Sequence, residues 1–411
     1  QNDLIFSGKH LSMGSEPQSN TENYIDPKGK LTVDLTYTTA QRKIRDMARD
    51  FAEAEIPRDS EETVMTPSLR EKMGELQFFG LQIPEEYGGA ALDTVSAAIC
   101  IEELSRVSAS VGLCVSVHNS VAAYPVMRWG TPAQREKYLN PLARGEMIGA
   151  FCLTEPNAGS DASAIETSAE KGEEGGYIVN GQKAYITNGG WADMYLIFCR
   201  TGVSGISVLI TDWGTEGVVR GNPEDLCGMR GNPVCSLYLT DAPVPVDNLL
   251  GSEGEGLAVA MDALDSGRIG IGAQGVGIAQ AALDASLRYS RERVQFRKPI
   301  SALQTIQNYL ADMATEIEAA RMLVFRAAGM KDKKIPFRRQ AAMAKYYATK
   351  TAMSAATLAV QIHGAYGYSK AYPVERYFRD AKVTEIYEGA NEVQRLVIAR
   401  TLLDDLERGA L

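Results

Sequence analysis

The sequence predicts an α+β protein in which an N-terminal helical domain, a small antiparallel β-domain and a C-terminal helical bundle follow one another. Apolar residues recur at helical spacing up to about Gly145, and short runs rich in β-branched and aromatic residues follow from Met147 to about Gly251. Helical spacing returns after Gly256 and continues to the end. We therefore expect domains at 35–146, 147–251 and 252–411, preceded by a disordered tail at 1–34.

The composition is that of an ordinary globular protein. Hydrophobic residues make up 45% and charged residues 23% of the 411 residues, so the chain can bury a large core. A net charge of −10 without a Lys/Arg block argues against a nucleic-acid partner. The sequence contains no run of about 18 apolar residues, so no membrane span is predicted.

The cysteines and histidines exclude several kinds of site. The six cysteines are scattered and form no CxxC pair, which favours free thiols in a reducing compartment, either a bacterial cytoplasm or a mitochondrial matrix. With three histidines in the chain, neither a His-rich metal site nor a Ser–His–Asp triad is supported, and we expect no metal site.

The N-terminal domain is predicted from periodicity and capping residues. Apolar residues repeat at helical spacing from Ile44 to Ala52, which predicts a first helix. Thr66-Pro67 is a good cap and first-turn pair for a second helix, which ends near Pro84. Two further helical segments are expected between Asp93 and Gly130, and a short one from Thr131 to Gly145.

The middle domain is predicted from five short strand-like runs: MIGAFCLTE, GYIVNGQKAYITN, MYLIFCR, ISVLIT and CSLYLTD. Gly, Asn and Asp separate these runs, as expected for turns of an antiparallel sheet. Within the second run, Asn180-Gly181 predicts a tight hairpin turn.

The C-terminal domain is predicted as a bundle because its helical segments are long and apolar. The first runs from Leu257 to Phe296, and the others are expected at 303–331, 336–363 and 391–407.

The strongest candidate for a catalytic group is Glu388, in the segment EIYEGANEVQRLVIAR. The carboxylate stands between Tyr387 and Gly389, just before an apolar helical segment, which suggests a crowded turn near a ligand. Burial there would raise the pKa of Glu388 and make it a base near neutral pH. The alternative is an ordinary charge that stabilises a helix N-terminus.

Two segments of the β-domain carry candidate binding residues. In FCLTEPNAGSDA, Thr154 and Ser160 offer hydroxyls and Gly159 allows close backbone approach, which suits the edge of a flavin ring or a phosphate. In AYITNGG, the two-residue period of a strand places Tyr185 and Thr187 on one face, where a planar ring would pack. A polar loop and ordinary sheet packing are the alternatives.

Three segments of the bundle carry further candidates. In DSGRIG, Arg268 suits an anionic or adenine-containing ligand, with a salt bridge inside the bundle as the alternative. RERVQF places Arg293 at a helix end, where a solvated cation is the ordinary interpretation. QIHGAYGY is a helix exit in which Gly364 and Gly367 permit a tight backbone.

Taken together, these motifs closely resemble the acyl-CoA dehydrogenase family of flavoproteins, especially its short-chain and branched-chain members. The resemblance covers about 35–406 and rests on TEPNAGSD, AYITNGG, DSGRIGI, ERVQF, QIHGAYGY and IYEGANEVQRLVIAR in the family's order. It implies that the bundle has four helices and that FAD lies between the sheet, the bundle and a neighbouring subunit. It also implies a homotetramer and electron-transfer flavoprotein as the partner that accepts electrons.

The resemblance implies a role for Glu388. The carboxylate would remove the α-proton of an acyl-CoA thioester while the β-hydrogen leaves as hydride to the flavin. The main-chain N–H of Glu388 and a ribityl hydroxyl of FAD would stabilise the developing enolate.

Other roles follow from the resemblance position by position. It implies FAD contacts from Phe151, Leu153, Thr154, Tyr185, Ile186, Thr187, Arg293, Phe296, Gln304, Gln361, Gly364, Ala365, Ala390, Asn391 and Glu392. It implies substrate contacts from Ser160, Asp265, Ser266, Gly267, Arg268 and Gly389. The chain departs from the family's pattern at Ala390, where threonine is usual, and at Tyr185, where tryptophan is common. Members specialised for isovaleryl-like substrates carry their glutamate at the position of Gly267.

Competing interpretations remain at this point. An acyl-CoA oxidase or an enoyl-CoA reductase would have the same fold and the same catalytic carboxylate. A non-catalytic helical scaffold that kept the fold belongs to a different class. The motifs leave the length and branching of the acyl chain open.

Overall fold

The computed structural model of the protein describes residues 37–57, 65–172, 175–202 and 205–409. The described residues from Gln41 onward belong to one compact unit. The tail predicted at 1–34 lies outside the described residues. The division into domains at 35–146, 147–251 and 252–411 stays a prediction.

The N-terminal part is helical, as predicted. Thr66 caps the second helix, with its Oγ1 accepting a hydrogen bond from the Leu69 N–H at 3.2 Å. Three helices, not the two expected, lie between Asp93 and Gly130, and a π-helical turn at His118–Ala123 joins the last two. The helices are α1 (Thr39–Glu55), α2 (Pro67–Glu75), α3 (Thr94–Val107), α4 (Ala109–Val117), α5 (Tyr124–Trp129) and α6 (Pro132–Ala143).

The middle part is a β-domain whose sheet has the order β6-β7-β3-β2-β4-β5-β8, with β1 paired to β4. Most neighbours are antiparallel, as predicted, but β1 and β2 both run parallel to β4, so the sheet is mixed. The strands are β1 (Gly149–Cys152), β2 (Ser168–Lys171), β3 (Tyr177–Ile186), β4 (Met194–Thr201), β5 (Ile206–Asp212), β6 (Val218–Pro223), β7 (Cys235–Val244) and β8 (Leu249–Leu250).

The hairpin turn predicted at Asn180-Gly181 is wrong. Both residues lie inside β3, where the register against β7 shifts between Val179 and Gly181. A Cβ on Gly181 would lie 2.5 Å from Thr167 Oγ1, so the glycine permits a close approach between neighbouring chain segments. The β2–β3 connection comes earlier, where the Gly172 N–H donates to the Gly176 carbonyl at 2.9 Å.

The C-terminal part is helical, and α7 (Gly256–Glu292) is its most buried helix. Small residues let the neighbouring helix approach closely, since a Cβ on Gly275 would lie 3.0 Å from the Ala348 backbone. The predicted helix 257–296 ends earlier, at Glu292, and a small hairpin follows. The other elements are β9 (Val294–Gln295), β10 (Lys298–Pro299), α8 (Gln304–Asp332), α9 (Arg338–His363), α10 (Val374–Thr384) and α11 (Asn391–Glu407).

All six cysteines are unpaired, and five of them are buried, with Cys227 the exposed one. Burial raises the pKa of the Cys100 thiol to about 12, so this thiol stays protonated and packs as a small apolar side chain. In the described ranges, no helix has both the length and the apolar character that crossing a bilayer would require.

Candidate active site

The turn between α10 and α11 presents Glu388 in an unusual backbone conformation. Glu388 has φ +48° and Gly389 has φ +90°, two successive residues in the left-handed region. A non-glycine residue seldom adopts this conformation, and surrounding structure must hold it there. The Tyr387 hydroxyl on one side of the turn donates to Gln274 Oε1 on α7 at 2.5 Å. The sequence-based expectation of a crowded turn is confirmed.

The Glu388 carboxyl group is buried without a hydrogen-bond partner. Both oxygens are shielded from solvent, and no polar atom of the described residues bonds to either of them. Burial raises the pKa of Glu388 to about 7, while the cations Lys345 and Arg268 act in the opposite direction. Such a carboxyl group changes its protonation state near neutral pH, as a general base must.

The main-chain N–H of Glu388 is available to a ligand. Within the part of the chain that the structure describes, no protein acceptor takes this N–H. A donor and a base on the same residue provide the two groups that enolate formation needs, one at the carbonyl oxygen and one at the α-carbon.

Helix α7 brings the predicted substrate stretch against this carboxyl group. A Cβ on Gly267 would overlap Glu388 Oε2 and would lie 3.1 Å from Val121 Cγ1 in the π-helical turn. Gly267 therefore leaves the space that the carboxylate occupies. Although Gly267 and Glu388 are far apart in sequence, the fold places them in direct contact.

The rest of this stretch is a network of buried charges. Arg268 forms an ion pair with Asp265, which also pairs with Arg338 at 3.1 Å. The Arg268 Nε is buried without a partner in the described residues. Ser266 Oγ lies 2.6 Å from Lys331 Nζ. The bundle salt bridge considered for Arg268 is thus present, and one of its N–H groups remains for a ligand.

A buried lysine that the sequence reasoning missed holds the Glu388–Gly389 turn. Lys345 on α9 donates to the Gly389 carbonyl at 2.9 Å and to Asn391 Oδ1 at 3.0 Å. Gln394 Nε2 donates to the same Gly389 carbonyl at 2.8 Å. Thr349 Oγ1 also donates to Asn391 Oδ1, at 3.1 Å. The Asn391 side-chain oxygen is therefore occupied within the chain, whereas Ala390 is half-buried and Glu392 is exposed.

The TEPNAGSD loop is fixed by a buried ion pair. Lys183 Nζ on β3 lies 2.6 Å from Glu155 Oε1, and the Glu155 carboxylate also accepts from the main-chain N–H of Thr167 at 2.9 Å. The Thr154 carbonyl accepts from the Ala184 N–H at 2.9 Å. Ser160 is exposed further along this loop.

The predicted flavin contacts on the sheet differ in exposure. Phe151 is half-buried and packs on Phe198, and Leu153 is buried. Tyr185 is 64% exposed, whereas Ile186 is buried in the sheet core, so Ile186 has only backbone to offer a ligand.

The two-residue period predicted for Tyr185 and Thr187 is broken. Tyr185 has φ +54°, the register against β7 shifts between Lys183 and Ile186, and the strand ends before Thr187. Strand alternation therefore does not place Tyr185 and Thr187 on a common face.

A second group of predicted FAD contacts lies at the other end of the bundle. On α9, residues 345 and 361 are separated by roughly 24 Å at 1.5 Å per residue. The Arg293 guanidinium stands 5.5 Å from the Tyr366 ring centroid, next to Gly364 and Ala365. The members of this group are exposed or half-buried: Arg293, Phe296, Gln304, Gln361, Gly364 and Ala365. A single chain does not bring them to Glu388.

Comparison with known proteins identifies the family. Models of the acyl-CoA dehydrogenase N-terminal, middle and C-terminal domains match residues 38–146, 150–242 and 254–403. An acyl-CoA dehydrogenase of Bacillus subtilis (strain 168) is 48% identical over 374 residues, covering 89% of this chain and 98% of that protein. The chain belongs to the acyl-CoA dehydrogenase family.

Solved structures of this family share the fold. Butyryl-CoA dehydrogenase from Megasphaera elsdenii superposes with a TM-score of 0.88 at 44% identity, covering 90% of this chain and 100% of that one. A chain in a structure reported for the electron transferring flavoprotein of Acidaminococcus fermentans superposes with a TM-score of 0.88 at 47% identity, covering 90% and 100%. The predicted fold class and family resemblance are confirmed.

No group of three or more His, Cys, Asp or Glu side chains in the described residues is arranged to hold a metal ion. Lys345 could have been found from sequence as a lysine on the alanine-rich face of a bundle helix, in line with Ala341, Ala348 and Ala352. Most lysines on helices are solvated, which is why this signal is easily passed over.

Proposed function

We propose that this acyl-CoA dehydrogenase family member uses FAD to oxidise short or branched acyl-CoA thioesters to 2-enoyl-CoA and passes the electrons to an electron-transfer flavoprotein. The observation that carries the proposal is the buried Glu388 carboxyl group, whose oxygens have no hydrogen-bond partner among the described residues and whose pKa burial raises to about 7. A buried carboxylate without a protein partner is costly, so a ligand is its natural partner.

The chain's own groups account for the proton transfer. Glu388 would take the α-proton of the thioester, and its main-chain N–H would bond the thioester oxygen as negative charge develops there. Arg268 and Lys345 favour the ionised form of the base before the reaction.

The residues fit FAD as the cofactor, which when bound supplies the acceptor for the β-hydride. Tyr185 exposes its ring at the end of β3, and the Thr154 loop is fixed in place beside it. Phe151, Leu153, Thr187, Ala390, Asn391 and Glu392 would complete this half of the site. The exposed aromatic surface around Phe296, 83% exposed, and Tyr368, 88% exposed, suits a second part of a long cofactor.

The FAD contacts proposed near Glu388 and those proposed near Arg293 lie far apart in one chain, and this separation supports an oligomer. Arg293, Gln304 and Gln361 would reach FAD bound to a neighbouring subunit, which is consistent with a homotetramer. Leu396, Leu403 and Leu406 form an exposed apolar row on α11 that an assembly would cover. We propose a location in a bacterial cytoplasm or a mitochondrial matrix.

The space beside Gly267 bears on the substrate. A Cβ on Gly267 would meet both the Glu388 carboxyl group and Val121, so little room lies between α7 and these two side chains. We propose that Ser160, Asp265, Ser266, Arg268 and Gly389 bind the acyl-CoA, and that the acyl chain is short, as in the butyryl-CoA dehydrogenase that the chain resembles.

The test is anaerobic bleaching of the purified protein. We expect a yellow protein that butyryl-CoA or isobutyryl-CoA bleaches, and that electron-transfer flavoprotein reoxidises faster than air does. Rapid peroxide formation in air would instead indicate an oxidase. Oxidation of NADH with crotonyl-CoA would indicate a reductase, and a colourless protein that does not take up FAD would overturn the proposal.

A matched pair of variants tests the base. Glu388→Gln should bind FAD and bleach at least 100-fold more slowly, since a positioned base contributes about 10²–10⁴-fold. Glu216→Gln changes an exposed carboxylate in the β-domain and should behave as wild type. Equal bleaching of the two variants would remove Glu388 from the mechanism.

A further inference from the structure

Lys345 is a buried cation whose hydrogen bonds go to neutral groups. Its side chain is 0% exposed, and its Nζ donates to the Gly389 carbonyl and to Asn391 Oδ1. In the described part of the chain, no carboxylate hydrogen-bonds to Lys345. Burying an ammonium group without an anion is costly, so the arrangement calls for a nearby negative charge.

Glu388 is that negative charge. Among the anionic side chains around Lys345, Glu388 contributes most to holding its proton, ahead of Glu385 and Glu392, while Arg268 acts against it. The Glu388–Gly389 turn connects the two residues, because Lys345 donates a hydrogen bond to the carbonyl of Gly389, the residue after Glu388.

The turn depends on this carbonyl being held. Gly389 receives one hydrogen bond from Lys345 at 2.9 Å and one from Gln394 at 2.8 Å, and both donors are fully buried. Glu388 and Gly389 both have positive φ, a conformation that two fixed donors help to maintain. This carbonyl belongs to the peptide that follows Gly389, so the two donors fix the backbone one residue after the Cα that carries the Glu388 side chain.

We propose that Lys345 is a positioning residue for Glu388, which fixes the Glu388–Gly389 turn and supplies the positive charge that favours the ionised base near neutral pH. This inference rests on the proposed function of Glu388.

Among the charged groups near Glu388, Lys345 is the cation that favours the Glu388 carboxylate most. Arg268 on α7 also favours the carboxylate, but it forms an ion pair with Asp265, which binds Arg338 as well. Tyr387, the neighbouring titratable group, stays neutral because burial raises its pKa well above 10. Burial lowers the pKa of Lys345 to about 7, so Lys345 and Glu388 titrate in the same range and each affects the other.

The first experiment compares pH profiles of anaerobic bleaching by butyryl-CoA. Lys345→Met removes the charge and one donor, so the midpoint of the rise in rate should move up by about one pH unit. Gln394→Met removes the other donor without changing charge, so it should lower the rate and leave the midpoint in place. Lys350→Met, an exposed lysine on the same helix, should match wild type.

A midpoint for Lys345→Met within about 0.2 pH units of wild type would overturn the proposal. An equal shift in Gln394→Met would also overturn it, because the shift would then report a disturbed turn and not the charge.

The second experiment avoids variants at position 345. In wild-type holoenzyme with ¹⁵N-labelled lysine side chains, one lysine should titrate near pH 7, and its midpoint should fall by at least half a pH unit in Glu388→Gln. An unchanged set of lysine midpoints in Glu388→Gln would contradict the proposed coupling. This readout is independent of turnover. If Glu388→Gln bleached at the wild-type rate, the proposed function would fail, whatever the lysine spectra showed.

Discussion

Replacing Gly267 with alanine should slow catalysis. The helix propensity of α7 should not fall, because alanine is a better helix former than glycine. The added Cβ would overlap Glu388 Oε2 and would lie 3.0 Å from Glu388 Cδ. Normal contact requires the carboxyl group to retreat by about 1 Å, and a misplacement of this size costs about 100-fold in rate. That corresponds to about 2.7 kcal/mol in the activation barrier. Alanine stabilises a helix by about 1 kcal/mol relative to glycine, which offsets part of any loss in the free energy of unfolding that the new Cβ contact causes.

The assay is the single-turnover rate of anaerobic bleaching with butyryl-CoA, together with a thermal unfolding curve. Gly329→Ala is the matched control, since it lies on α8 and its Cβ would meet no atom within 4 Å. We expect Gly267→Ala to bleach about 100-fold more slowly and Gly329→Ala to bleach at the wild-type rate. If Gly267→Ala bleached as fast as the control, the contact between α7 and the carboxylate would have no role in catalysis.

Three further predictions concern buried charges. The bleaching rate should rise with pH with a midpoint near 7, as Glu388 loses its proton, and a flat profile between pH 5 and 9 would contradict this. Burial raises the pKa of Glu388 from 4.5 to about 7, so the fold loses stability as pH rises from about 4.5 to about 7. At pH 8, Glu388→Gln should therefore increase the free energy of unfolding, by less than the roughly 3 kcal/mol of the pKa shift alone because Lys345 loses its nearest anion. In urea titrations this gain should vanish at pH 4, and a constant gain would refute the linkage. Lys183→Met should lower the free energy of unfolding by about 3–5 kcal/mol, because the buried Glu155 carboxylate loses its cation and keeps only main-chain N–H donors, and adding Glu155→Gln should restore part of it.

The order of helical, β and helical parts could be predicted from sequence because each part has its own local pattern. The capping pair at Thr66-Pro67 and the periodicity of α7 are signals within a few residues. Helix α10 (Val374–Thr384) was missed because it is short and rich in charged residues, so its apolar face is narrow. The π-helical turn at His118–Ala123 has no comparable local signal.

The error at Asn180-Gly181 has a physical cause. An Asn-Gly pair favours a turn when nothing else acts on it, but here β7 pairs with β3 on both sides of the dipeptide. Gly181 also lies against Thr167, where a larger residue would not fit. Long-range pairing therefore overrides the local preference, and a single sequence does not reveal it.

The turn that carries Glu388 was predictable in part. The position of Glu388 between Tyr387 and Gly389 indicated a crowded turn, and the raised pKa follows from burial there. The contacts with Gly267 and Lys345 depend on how α7, α9 and the turn pack, and residues far apart in sequence give no periodic signal of such a contact. The exposed group near Phe296 shows the same limit, since the role proposed for it depends on a second subunit.

The most direct test of the account is exchange of the α-hydrogens of butyryl-CoA in D₂O, followed by NMR in the absence of an electron acceptor. If Glu388 removes and returns the α-proton, the wild-type holoenzyme will replace the α-hydrogens with deuterium, and Glu388→Gln will do so at least 100-fold more slowly. Equal exchange rates in the two proteins would contradict the assignment of Glu388 as the base.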